Sequence, residues 1–161
     1  MQPTRESTWP RRAAARFCSR NGVAAIEFAM VSPMLIILLT GVVELGMAGF
    51  QAMQVQSAVE AGALYAAQNG AGNLSAIALA VVNATGTAGI TATPAPTAFC
   101  GCPKTAGVAS QGSDCTTVCS DGTPPGQYVQ VNAALPHKTL MPFLNLPLPA
   151  TLTARTTIRV Q

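Results

Sequence analysis

Residues 29–50 form a 22-residue run whose only charge is Glu44, and this run limits the folding options of the chain more than any other feature. A helix rises roughly 1.5 Å per residue, so the run is long enough to cross a hydrocarbon core of about 30 Å. Pro33 falls in its first turns, where neighbouring helices and local adjustment satisfy the freed carbonyl and a kink is tolerated. Glu27 stands at its entrance, five residues after Gly22. An ionisable group at the mouth of a membrane span is costly and usually functional.

Charge is distributed very unevenly around this run. Residues 1–22 hold Arg5, Arg11, Arg12, Arg16 and Arg20 against Glu6, a net +4. Residues 23–161 hold Lys104, Lys138, Arg155 and Arg159 against Glu27, Glu44, Glu60, Asp114 and Asp121, a net −1. A near-neutral body argues against a nucleic-acid partner. No Lys or Arg occurs between Arg20 and Lys104. The positive-inside bias therefore predicts a cytoplasmic N-terminus, with everything after the span outside. The leader, rich in Arg, Pro and Ser and without apolar period, reads as disordered.

Helical character continues past the apolar run. Residues 51–68 contain no Pro and a single Gly, Gly62. Ala58, Gly62 and Ala66 recur every four residues on one face, bordered by Val55 and Val59, and small residues at that spacing let another helix approach closely. Gln56 and Glu60 form a separate polar stripe. A helix over residues 24–68 would span roughly 65–70 Å and emerge from the bilayer as a spine. The alternative is two helices broken near Gly46 and Gly49.

The predicted class is α+β. Residues 1–22 form a cytoplasmic basic leader, 23–69 a transmembrane spine helix, and 70–161 a small extracytoplasmic domain. Within that domain Asn73 is placed to cap a short helix over residues 74–83, with Leu74, Ile77 and Val81 on one side. Two later segments alternate with period two and read as half-buried strands. In residues 128–135, Val129, Val131, Ala133 and Leu135 share a face. In residues 151–161, Leu152, Ala154, Ile158 and Val160 share a face, opposite Thr151, Thr153, Arg155, Thr157 and Arg159. Two strands alone are marginal, so they must pack on a helix or find other strands. Residues 140–149 are unusually apolar for a connection; they either cover the small sheet or expose a contact surface.

Cys18 lies in the leader, on the reducing side. Cys100, Cys102, Cys115 and Cys119 cluster on the predicted outside, where an even number suggests two disulfides. Four cysteines allow three pairings, and the spacing leaves all three open. A zinc site is the alternative, but the spacing Cys-x-Cys-x12-Cys-x3-Cys has one residue inside its first pair, where zinc knuckles use two to four. A redox centre would want Cys-x-x-Cys at a helix start, which this spacing lacks. The single histidine, His137, stands between Pro136 and Lys138 and reads as a surface loop residue. With no second histidine and only scattered carboxylates, no catalytic triad or carboxylate pair is expected. No cofactor or metal is expected either.

Two carboxylates carry the functional reading. Glu27 sits at headgroup depth, lines a pathway that a single span offers only by oligomerising, or neutralises a positive charge brought close by assembly. Glu44, about four turns on, lies near the outer headgroups or holds a partner within the membrane. Neither has a cation on its own helix.

At these residues the chain resembles the TadE-like family of tight-adherence pilus assembly proteins, within the broader type IV pilin-like class. The resemblance runs through Gly22-Val23-Ala24-Ala25-Ile26-Glu27-Phe28-Ala29, Ser32-Pro33 and Gly41-Val42-Val43-Glu44-Leu45-Gly46. It extends into Ala58-Val59-Glu60-Ala61-Gly62-Ala63-Leu64-Tyr65-Ala66-Ala67. It implies a single-pass inner-membrane pseudopilin, non-catalytic, used in building Flp-type adhesive pili. It also implies cleavage between Gly22 and Val23 by a prepilin peptidase, which makes Glu27 the fifth residue of the mature chain. Phe28 departs from the tyrosine common in processed members; the ring is kept and the hydroxyl lost. The implied partners are that peptidase, other TadE-like pseudopilins or pilin subunits, inner-membrane platform proteins and membrane lipid. Two rival readings remain: a secreted or surface protein with an ordinary signal peptide cut near Ala48 or Ala52, and a periplasmic metal or redox module on a plain anchor.

Overall fold

The computed structural model describes residues 21–139 and 147–160. The arginine-rich leader with Cys18, residues 140–146 of the apolar 140–149 connection and residue 161 lie outside the described residues. The elements run in the order α1 (Asn21–Asn69), α2 (Leu74–Asn83), β1 (Thr97–Lys104), β2 (Gly107–Ser110), β3 (Gly126–Pro136) and β4 (Thr151–Arg159). This is the α+β architecture expected from the pattern of periods. Contacts divide the chain into two compact units, one ending at Val43 and one beginning at Glu44.

The first unit is the start of α1. The helix is continuous through Pro33 and through Gly46 and Gly49, so there is one helix and no break. The apolar window that qualifies as a membrane span is 0% buried. Thr40 carries one of the few hydroxyls on this stretch, and it donates to the carbonyls of Ile36 and Ile37, each at 2.9 Å. A hydroxyl bonded back to its own helix is compatible with a lipid surface, where no water is present to satisfy it.

The second unit packs the end of α1 and the short α2 on one face of a four-stranded antiparallel sheet of order β2-β1-β3-β4. Gly70, at φ 72°, ends α1, and its N–H donates to Ala66 O at 2.8 Å. The Asn73 side chain then caps α2 by accepting from the Ala76 N–H at 3.0 Å, which satisfies one of the orphan donors of the new helix. Ile77 and Val81 on α2 are fully buried.

β3 is the central element. It pairs with β4 from Tyr128↔Arg159 to Pro136↔Thr151 and with β1 from Thr97↔Gln130 to Gly101↔Gly126. Its alternate residues Val129, Val131, Ala133 and Leu135 meet Val55, Ala58, Val59 and Ala66 of α1 and Ile77 and Val81 of α2 in one core. Leu152, Ala154 and Ile158 of β4 pack against that core, on the face that their alternation predicted. The remaining strands, β1 and β2, are a hairpin turning at Thr105-Ala106, with Lys104 opposite Gly107. Gly101 is required there: a Cβ would lie 2.6 Å from Val108 Cγ1 and 2.7 Å from Ala109 O.

Candidate functional site

The sequence-predicted residues fall into four places. The first is the lipid-like start of α1. Val23, Phe28 and Pro33 are exposed on it, as are Gly22 and Glu27. Phe28 is 74% exposed, so its ring has no packing role inside the described chain.

The second place is a buried polar joint in the Glu44–Gln161 unit. Glu44 is only 3% exposed, although it closes a run of lipid-like residues. Its Oε1 lies 3.5 Å from His137 Nε2, an ion-pair distance rather than that of a short hydrogen bond. On the other side of the ring, His137 Nδ1–H donates to Gln51 Oε1 at 2.7 Å. Glu44 and Gln51 are seven positions apart on one helix, two turns, so both project on the same side. The expectation of a surface loop for His137 is therefore corrected: the residue is 8% exposed. The cause lies in the backbone. Pro136 ends β3, but the His137 N–H donates to Ala150 O at 2.9 Å and extends the ladder toward β4. That extra rung holds the imidazole inward, over α1. A cation for Glu44 is thus supplied within the chain, by the imidazole when protonated, from a residue far along the sequence.

The third place is the small-residue face. Ala58 and Ala66 are fully buried, and Gly62 is buried between them. A Cβ on Gly62 would collide with Val81 and stand 2.9 Å from Val131 Cγ1. The helix that approaches closely here is α2, and β3 fills the rest of the face. The small residues serve packing within this unit.

The fourth place is the cysteine cluster. Cys100 is bonded to Cys115 and Cys102 to Cys119, with Cα–Cα distances of 5.2 and 5.7 Å. The two bridges interleave, so β1 is tied twice to the loop that leads into β3. They use the four thiols that a zinc centre at this spacing would need. Two aspartates shape the same loop. Asp114 accepts from the Thr116 hydroxyl and N–H at 2.6 and 2.8 Å and from the Thr117 hydroxyl at 2.9 Å. Asp121 accepts from the Thr123 hydroxyl and N–H at 2.7 and 3.0 Å. Both carboxyls are held below 3.8, Asp114 chiefly by the Thr116 hydroxyl and Asp121 by that of Thr123.

Sequence reasoning missed the far face of the sheet. Phe99 and Tyr128 stack there with ring centroids 5.8 Å apart, and Asn132 donates to Pro94 O at 3.2 Å and accepts from Gln130 at 3.2 Å. Arg155 and Arg159 stand on the same face, opposite Asn132 and Tyr128 in the β3–β4 register. The outward positions of β4 signalled half of this surface; the half from β1 had no periodic signal.

Residues 22–64 match the family model described as TadE-like protein. The resemblance carried by the glycine-to-glutamate stretch is thereby shown over that segment, which contains Glu27, Glu44 and the face of Ala58 and Gly62. No curated protein and no solved structure matches the chain.

Proposed function

We propose that this chain is a minor pseudopilin, or membrane assembly factor, of tight-adherence pilus biogenesis, processed after Gly22. The observation that carries the reading is the TadE-like match over residues 22–64, falling on a helix whose first half is exposed and apolar and whose second half is the core of a domain. The helix would be anchored in the inner membrane with the leader of residues 1–22 in the cytoplasm, and residues 70–161 outside.

In this reading the helix leaves lipid for the helices of neighbouring subunits. Glu27 then pairs with the new amine of Val23 on an adjacent chain, because a carboxylate in an apolar seam needs an opposite charge. Partners are the prepilin peptidase, other TadE-like pseudopilins or pilin subunits, and inner-membrane platform proteins. The domain supports a spine that stays whole: a signal-peptide cut near Gly49 would discard Glu44 and Ala48, both buried in the described chain.

Intact-mass measurement of the membrane-purified protein, with and without the peptidase, tests this. A mature chain beginning at Val23 only when the peptidase is present supports it. An uncut chain in both, or a start near Gly49, sinks it. In the processed protein Glu27→Gln should impair assembly; normal pili from that variant would remove the pairing with the amine.

A further inference from the structure

A pocket of about 510 Å3 opens beside the Glu44–His137 joint, lined by Gln51, Thr87, Gly89, Leu135, Pro136 and Lys138. Its volume lies within the ~300–1,000 Å3 range of small-molecule sites. Most of the wall is apolar, and each polar side chain on it can donate a hydrogen bond. Lys138 offers an ammonium. Gln51 Oε1 already accepts from the His137 ring, and its amide N–H groups remain as donors. Thr87 adds a hydroxyl. Among the described lining residues there is no carboxylate. The nearby carboxylate, Glu44, is engaged by His137 at 3.5 Å, so it does not set the charge of the pocket.

Position along the helix says what fits. Gln51 is the first polar side chain after the apolar run of residues 29–50. In a spanning helix, Gln51 therefore comes to lie at headgroup depth. Leu45 and Phe50, just before it, are 56% and 58% exposed. An apolar wall next to an exposed apolar helix face, with one cation, an amide and a hydroxyl able to donate and no carboxylate among the described lining residues, complements a ligand that is apolar at one end and a phosphate at the other.

We infer that this pocket binds an anionic phospholipid of the outer leaflet, with the phosphate on Lys138 and Gln51 and the glycerol and first acyl carbons along Leu135 and Pro136. The site rests on the membrane-spanning reading proposed above. Its function is to fix the domain against the bilayer surface at the point where the helix emerges, and to be given up when the subunit leaves the membrane.

The test uses the full chain reconstituted into nanodiscs of phosphatidylcholine mixed with phosphatidylglycerol, with retained lipids counted by native mass spectrometry. The expected result is an enrichment of phosphatidylglycerol of about fivefold, the preference one lysine near a surface supplies. Lys138→Gln should abolish it with an unchanged far-UV spectrum, while Arg155→Gln, on the far face of the sheet, should leave it intact. Equal retention of both lipids, or a preference lost equally in both variants, overturns the site. Displacement of the lipid by excess inorganic phosphate would assign the pocket to a free anion and overturn the lipid. A chain that fails to insert into any bilayer refutes the spanning reading and the site together; insertion without preference refutes the site alone.

Discussion

Glu44 and His137 meet through their side chains at 3.5 Å, in positions 5% and 1% exposed, and so join the middle of α1 to the end of β3. Burying a carboxylate is costly, and the contact with His137 offsets part of that cost. His137→Ala should destabilise the domain by about 1–3 kcal/mol, the range for a buried polar group left unsatisfied. Glu44→Gln keeps shape and hydrogen-bonding capacity and should cost less. Denaturant unfolding of the full chain in detergent micelles measures both; wild-type stability in His137→Ala would show that the pair contributes nothing.

Gly62 is set by close approach rather than by backbone conformation, since its added Cβ meets Val81 and Val131 side chains. Gly62→Ala should lose about 1–3 kcal/mol through overpacking. The same substitution at Gly46, where a Cβ would meet nothing within 4 Å, should be neutral or slightly stabilising. Thermal melts of the two variants side by side decide; equal melting temperatures would refute the packing account.

The two bridges close loops of 15 and 17 residues. Chain-entropy reasoning assigns about 3 kcal/mol to a loop of that length. Because the bridges interleave, removing the second should cost less than removing the first. Peptide mapping under non-reducing conditions should find Cys100 with Cys115 and Cys102 with Cys119. Any other pairing, or four free thiols in protein purified without reductant, contradicts the fold of the loop.

Acid should loosen that loop once its two aspartates take up protons. Asp114 and Asp121 have carboxyls held below 3.8 by threonine hydroxyls and N–H groups. A depressed folded value means that the stabilisation is present above the unfolded value and is lost as pH falls through the folded one. Carboxyl 13C titration should place both midpoints below 3.8, with the Thr116 and Thr123 amide shifts following the same curves. Midpoints above the unperturbed value would exclude these hydrogen bonds in solution.

Much of the fold is legible in the sequence, for physical reasons that differ by element. The cap of α2 is local chemistry: Asn73 ahead of an apolar period. β3 and β4 each bury one face, so their alternation reports the core directly. β1 gives no such signal, because Cys100, Gly101, Cys102 and Pro103 break any period. Pro103 is tolerated there since it lies beyond Gly101, where pairing with β3 ends and only β2 flanks the strand. His137 was illegible for a different reason. Its partner Gln51 is 86 residues away, and a contact of that range leaves no trace in the neighbours of either residue. The small-residue face was visible as a face, but its occupant, α2 from the same chain, was not.

The core draws on α1 and on β4, the first and the last described elements, whereas the bridged hairpin is closed by partners 15 and 17 residues apart. Local closures form quickly and distant ones wait for the chain to be delivered. During synthesis the two bridged loops can therefore close before residues 151–159 are available to the core. The joint over Glu44 has to wait for His137, which follows β3. Closure of that contact therefore reports that the chain has been delivered through its central strand.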